Sequence, residues 1–238
     1  MNFTNYLITL HNVSIYLSIP IFTIILSSII FKLVTLNSHS KSMLQHFSAG
    51  VVLAALAVEL IPELYDTPFK IQLITGYIIG TALMLIIQKI CRNNHSLGEK
   101  PTSSLLIAVA IDIFIDGLLV GISFAISIAK GLVISIALSL ELLFLILSVD
   151  ITLQKSGKKL LPILLLNIAF AILVFAGSAL GLTFLNASKS TIVLITSFGA
   201  AALLYLVIEE LLREAHEEKA TTTSTAMFFL GFLIILLL

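Results

Sequence analysis

The chain has 238 residues, of which 59% are hydrophobic and 11% charged, and its 13 basic and 13 acidic residues give a formal net charge of zero. Soluble domains carry about 25% charged residues, so this composition excludes a soluble globular protein, and the charge balance argues against a nucleic-acid partner. The single cysteine, Cys91, excludes an internal disulfide. The composition therefore predicts an integral membrane protein whose apolar surface is covered by lipid.

Eight apolar runs of roughly membrane-spanning length follow one another along the chain. They lie near 14–34, 43–63, 71–91, 104–127, 131–153, 160–184, 190–212 and 220–238. The connectors between them are too short to fold separately, so residues 1–238 are predicted to form one all-α transmembrane domain. The longest connector, Arg92–Pro101, is rich in turn-forming residues and is predicted to be a loop.

The distribution of lysine and arginine predicts the orientation of these spans. Ten of these residues lie on the connectors 1–2, 3–4, 5–6 and 7–8, whereas the opposite connectors carry three. Connectors with this bias remain in the cytoplasm. We therefore expect both termini on the outer side of the membrane.

The second and seventh spans resemble each other at an offset of 151 residues. On the predicted topology the two spans run in opposite directions, which is typical of the inverted repeats of secondary transporters. A 3+2+3 arrangement follows, in which helices 1–3 and 6–8 surround helices 4 and 5. Chance similarity between helices rich in small residues is the alternative. The aligned pairs include Phe47 with Phe198, Glu59 with Glu210, and Glu63 with Glu214.

Three carboxylates lie at matching depth in the fourth and fifth spans, neither of which contains a lysine or arginine. Asp112 and Asp116 are four residues apart and so share one helix face, and Glu141 lies in the neighbouring antiparallel span. A charge at the centre of a membrane-spanning helix costs roughly 2.5–3.5 kcal/mol. A bound cation or a proton is expected to offset this cost, and carboxyl groups hydrogen-bonded to the backbone are the structural alternative.

Other acidic and histidine side chains lie toward the span ends and are candidates for a cation pathway. Acids at helix ends are as often solvated surface charges, but the group at the cytoplasmic end of the seventh span joins carboxylates to an imidazole and could bind metal transiently. Asp150 lies more than two turns beyond Glu141, which makes it a candidate for an exit path. The full set is His46, Glu59, Glu63, Asp150, Glu209, Glu210, Glu214 and His216.

Three Gly-x-x-x-Gly pairs occur in the spans, and such pairs let two helix backbones approach closely. They predict close packing inside the protein and are also compatible with a homodimer. The pairs are Gly76/Gly80, Gly117/Gly121 and Gly177/Gly181.

At these residues the chain resembles the ZIP (Zrt/Irt-like) family of divalent metal transporters, in particular its prokaryotic members. The similarity lies in Glu59-Leu-Ile-Pro-Glu63, in Asp112-x-x-x-Asp116-Gly-x-x-x-Gly121 and in Glu209-Glu210-x-x-x-Glu214-x-His216. The resemblance implies eight helices in the 3+2+3 arrangement, both termini outside, alternating access and a bacterial cytoplasmic (inner) membrane. It also implies that membrane lipid and a divalent cation are the partners.

The chain departs from the family pattern in the central spans. The family's metal-binding histidine of helix 4 is Asp112 here, its neighbouring asparagine is Ile113, and the second acidic position of helix 5 is Leu145. The family's two-metal centre would thus shrink to one site of Asp112, Asp116 and Glu141. Oxygen ligands favour Mn²⁺, Fe²⁺, Ca²⁺ or Mg²⁺, although carboxylates also bind Zn²⁺.

These observations predict a carrier of divalent metal cations such as Zn²⁺, Mn²⁺ or Fe²⁺, with the metal as substrate and no prosthetic group. The alternative is a divergent ZIP-like protein that has lost transition-metal transport and carries protons or another cation, or acts as a sensor. An enzyme is not expected, because no metalloprotease or serine-hydrolase motif occurs in the chain.

Overall fold

The computed structural model describes residues 3–33, 38–95, 102–216 and 221–237. Within these ranges the chain is all-α, with eight helices and no strands, as the apolar runs predicted. The helices are α1 (Phe3–Leu33), α2 (Ser38–Ala55, continued by a π-helical turn over Leu56–Leu60 and by Ile61–Tyr65), α3 (Lys70–His95), α4 (Thr102–Ile126), α5 (Ile128–Lys155), α6 (Leu160–Leu182, followed by a 3₁₀ turn over Thr183–Asn186), α7 (Lys189–Tyr205, continued by a π-helical turn over Leu206–Leu211 and by Leu212–His216) and α8 (Thr222–Leu236).

The transmembrane character of the protein follows from the length and surface of these helices. Six of them, α2 to α7, contain stretches long and apolar enough to cross a membrane, whereas α1 and α8 contribute the shorter apolar stretches Ile15–Ile30 and Thr222–Leu236. Large apolar side chains project from the outer faces of α3 and α6. Contact of these side chains with water would be unfavourable, whereas contact with lipid is favourable. The side chains include Ile71, Ile78, Ile86, Leu161, Leu165 and Ile172.

Several predicted helix boundaries were wrong. Helix α1 begins at Phe3 rather than near residue 14, and α3 continues to His95, so that the first part of the predicted Arg92–Pro101 loop is helical. Residues 96–101 lie outside the described ranges. Lys130 was predicted to lie in a connector but lies in the first turn of α5. Ser127 alone separates α4 from α5, because its extended backbone ends one helix and its hydroxyl accepts the Lys130 amide at 3.2 Å.

Four pairs of helices make the most extensive contacts: α4 with α6, α2 with α8, α3 with α7, and α1 with α5. Glycine permits the closest of these approaches. A Cβ at Gly117 or Gly121 of α4 would clash with a carbonyl oxygen of α6, and Gly177 and Gly181 of α6 meet α4 in the same way. The prediction that the Gly-x-x-x-Gly faces pack helices against each other is therefore confirmed for this pair.

Helices α2, α4, α5 and α7 form the inner part of the bundle, and each is mostly buried over its spanning stretch. Their leucine side chains share one core, which includes Leu56, Leu119, Leu138 and Leu203. Helices α3 and α6 lie mainly at the outside. The inner position of α4 and α5 removes their polar residues from both lipid and water.

Candidate metal centre

Asp112, Asp116 and Glu141 come together between α4 and α5. One ligand atom of each lies within 4.8 Å of the others, and their side chains are 8%, 1% and 1% exposed. The two aspartates share one face of α4 because they are separated by about one helical turn. The short break at Ser127 then places α5 beside α4, so that Glu141 reaches the same depth. The predicted convergence of these three residues is thus observed.

The hydrogen bonding of this cluster is incomplete. The side chains of Asp116 and Glu141 lie close enough to form a hydrogen bond with each other when one of them is protonated, since an ionised carboxylate only accepts. Asp112 Oδ2, Asp116 Oδ2 and Glu141 Oε2 are buried and find no hydrogen-bond partner among the described residues. Buried polar atoms are normally paired, so three unpaired oxygens in one cluster are suited to act as donors to a bound cation.

A fourth carboxylate faces the cluster from α7. Glu210 interacts electrostatically with Asp112, Asp116 and Glu141. It lies in the π-helical turn Leu206–Leu211, where the wider turn changes the direction of side chains relative to a regular helix. Such turns occur frequently at functional sites. The sequence placed Glu210 only among the pathway candidates at the end of the seventh span, whereas the structure brings it close to the central cluster.

Asp150 belongs to a separate polar cluster of α1, α5 and α6. It is fully buried, and the Asn167 amide nitrogen donates to both of its carboxylate oxygens, at 3.1 and 3.0 Å. The same nitrogen lies 2.6 Å from Ser28 Oγ. Ser28 and Asn167 also line a cavity of about 620 Å³ between α1 and α6. Asp150 is therefore engaged away from the three central carboxylates.

The acids at the C-terminal end of α2 are tied to the start of α5. Lys130 Nζ lies 2.7 Å from Glu63 Oε1 and donates to the backbone oxygen of Glu59 at 3.3 Å. Glu63 is consequently neutralised by a lysine, in contrast to the central carboxylates. Glu59 lies in the π-helical turn of α2, Leu56–Leu60.

The remaining candidates lie in the C-terminal part of α7. Glu209 Oε2 accepts a hydrogen bond from Gln88 Nε2 of α3 at 3.3 Å. His216 packs against His46 of α2, with ring centroids 5.0 Å apart. The side chain of Glu214, also a predicted pathway residue, lies outside what the structure describes.

Three features of the site were missed from the sequence: the π-helical turns, the partners of Asp150 and the pairing of His46 with His216. Only the π-helical turns had a related pattern in the sequence. The internal repeat aligned Glu59 with Glu210, and these residues lie in the two π-helical turns. The other two depend on contacts between different helices, which the spacing of residues along one helix does not reveal.

No family model matches the chain, and no curated protein shows significant similarity to it. The chemistry of the site is therefore argued from its own residues. Three buried carboxylates can hold a cation through hard oxygen donors. Ligand oxygens around Mn²⁺ or Ca²⁺ lie about 3–5 Å from one another, which agrees with the 4.8 Å limit of this cluster.

Proposed function

We propose that the protein is a ZIP-like carrier of divalent metal cations that holds its substrate between α4 and α5. The observation that carries the proposal is the cluster of three buried carboxylates within 4.8 Å of one another, on two helix stretches that contain no basic residue. Leaving such charges unneutralised inside a membrane is unfavourable. A cation bound at this site would neutralise the carboxylates for as long as it is held there during transport.

The charge of the cluster favours a divalent ion. Asp112, Asp116 and Glu141 together can carry more than one negative charge within 4.8 Å. One divalent cation neutralises two carboxylates, whereas a monovalent ion neutralises one, and Glu210 is a further negative group near the cluster that can attract a cation from α7. The donors are all oxygen, so the expected preference is for Mn²⁺ or Fe²⁺ over Zn²⁺.

Helix packing supports the 3+2+3 arrangement with inverted repeats. Exchanging helices 1–3 with 6–8, and α4 with α5, converts the α2–α8 pair into α7–α3 and the α4–α6 pair into α5–α1. All four pairs are among the major contacts. The π-helical turns Leu56–Leu60 and Leu206–Leu211 also exchange under this operation. Such a pseudo-twofold relation suits alternating access to a central site.

The proposal includes the orientation and membrane expected from the sequence. The positive-inside bias places both termini outside, and the ZIP resemblance suggests a bacterial inner membrane. The inner ends of α2 and α7 would then face the cytoplasm.

Uptake of Mn²⁺ and Zn²⁺ into proteoliposomes tests the proposal. We expect wild-type protein to bind one metal ion per chain at the cluster and to transport it, and Asp116→Asn to lose at least about 90% of uptake because a charged ligand is replaced by an amide. Asp66→Asn, an exposed aspartate in the connector after α2, is the matched control.

Two outcomes would contradict the proposal. Normal uptake by a well-folded Asp116→Asn protein would exclude the cluster as the transport site. Wild-type protein that binds neither metal, and whose vesicles instead move protons, would favour the alternative of a ZIP-like protein without metal transport.

A further inference from the structure

Two histidines from different helices meet at the end of the bundle where α7 terminates. His46 lies in the first part of α2 and His216 is the last residue of α7, and their ring centroids are 5.0 Å apart with planes inclined by 52°. The contact is braced by Ser42, whose hydroxyl donates to the Ala215 carbonyl oxygen at 2.7 Å. The helices are thus held together at the level of the two rings.

The backbone determines which nitrogen of each ring is available. His46 Nδ1 lies 2.8 Å from the Ser42 carbonyl oxygen, and His216 Nδ1 lies 2.6 Å from the Leu212 carbonyl oxygen. A carbonyl oxygen only accepts, so Nδ1 carries the proton in both rings. In the neutral imidazoles this leaves the lone pair on Nε2. Metal-binding histidines are oriented by the same kind of hydrogen bond from the second ring nitrogen.

The free nitrogen of His46 is unusual for a structural histidine. The side chain is 2% exposed, and its Nε2 is buried with no hydrogen-bond partner within the described part of the chain. A merely packed histidine would be expected to satisfy this atom. His216, by contrast, is exposed, so a ligand can reach the pair from the aqueous side.

The separation of the rings suits a shared metal ion. With metal–nitrogen bonds of about 2.1 Å and a tetrahedral angle, the centroids of two imidazoles on one ion lie about 5 Å apart. The observed distance is 5.0 Å. Two imidazole nitrogens with water in the remaining positions suit ions of intermediate softness.

We propose that His46 and His216 form a second metal site, which binds a borderline transition-metal ion such as Zn²⁺, Cu²⁺, Ni²⁺ or Co²⁺ and joins α2 to α7. The site differs in chemistry from the central carboxylates, since its donors are nitrogen rather than oxygen. It goes beyond the proposed function and does not require the central cluster to carry metal. When occupied, it links the inner ends of the two helices that contain the π-helical turns.

Electron paramagnetic resonance of Cu²⁺ added to the purified 238-residue chain tests this site, because the splitting counts the coordinating nitrogens. The chain contains five histidines, so a His11→Ala/His39→Ala/His95→Ala background retains only the proposed pair. Adding Asp116→Asn weakens the central site in the same protein. We expect a spectrum with two imidazole nitrogens at one Cu²⁺ per chain.

Removal of either histidine from this background should change the spectrum in a defined way. His216→Ala is the primary variant because the side chain is exposed and its loss is compatible with folding. We expect it to leave one nitrogen and to weaken Cu²⁺ binding at least about 10-fold, and His46→Gln should do the same. An unchanged two-nitrogen spectrum in His216→Ala, or no imidazole coordination in the background protein, would overturn the proposal.

The outcome is separable from that of the proposed function. A protein that gives the two-nitrogen spectrum but transports neither Mn²⁺ nor Zn²⁺ retains this site and contradicts only the carrier. A protein that transports metal but never shows imidazole coordination contradicts only the histidine site.

Discussion

Asp150 and the central carboxylates are all buried but differ in how their charge is accommodated. Both oxygens of Asp150 accept from the Asn167 amide, whereas Asp112, Asp116 and Glu141 each retain a buried oxygen without a partner in the described ranges. A hydrogen-bonded carboxylate can serve the structure of the bundle, because the protein itself supplies its donors. A cluster whose oxygens lack donors is suited to bind an ion. The difference distinguishes Asp150, as a structural acid, from the central carboxylates, as candidate ligands.

The largest effect in this comparison is expected at the central cluster. Glu141→Gln should weaken divalent metal binding by at least about 100-fold, or about 2.7 kcal/mol, because the α5 ligand loses its charge. The free energy of unfolding should remain unchanged or increase, since one of several close negative charges is removed. Isothermal titration with Mn²⁺ and unfolding in detergent measure the two quantities. Wild-type Mn²⁺ affinity in Glu141→Gln would remove this residue from the site.

The opposite result is expected at Asp150. Asn167→Ala removes the donors to a buried carboxylate and should lower the free energy of unfolding by about 2 kcal/mol, with Mn²⁺ affinity unchanged. Ser178→Ala is the control, since Ser178 is another buried polar residue of α6 but donates to the Gly117 carbonyl. A large loss of Mn²⁺ affinity in folded Asn167→Ala protein would show that the two clusters act together.

The smallest effect is expected at Glu63, whose charge is neutralised by Lys130. The two side chains are 31% and 23% exposed, so that water competes with the ion pair. Glu63→Gln should change the free energy of unfolding by about 0–1 kcal/mol. Lys130→Met provides the reciprocal variant. A transport defect as severe as that of Asp116→Asn would assign Glu63 to the pathway and contradict a purely structural pair.

Local pattern predicted most of the architecture. Apolar runs of about 20 residues require the bilayer, where their backbone groups can be hydrogen-bonded only in helices. The number and order of the helices therefore follow from the positions of the apolar runs. The boundaries were less predictable. The polar residues Arg92–His95 continue α3, and Ser127 alone interrupts the chain between α4 and α5, because helix ends depend on capping and on the neighbouring helices.

The central site could be predicted from the sequence, because its carboxylates are unusual in apolar helices and short-range geometry brings them together. Asp112 and Asp116 share a face by helical spacing, and a one-residue break brings Glu141 alongside, so short-range geometry alone assembles the cluster. Glu210 lies in the π-helical turn of α7 and interacts electrostatically with the cluster. The internal repeat aligned Glu210 with Glu59, which lies in the other π-helical turn, but it did not specify the conformation of either turn.

The sequence by itself determined that this is a helical membrane protein with three unneutralised carboxylates at one depth, because hydrophobicity and helical spacing act along neighbouring residues. Only the tertiary structure decided which polar groups find partners. It paired Asp150 with Asn167 and Ser28, brought His46 to His216 and directed Glu210 toward the central cluster. Ser28 is 139 residues from Asn167, and His46 and His216 lie on the second and seventh helices, so these contacts depend on how the helices pack and not on spacing along one helix.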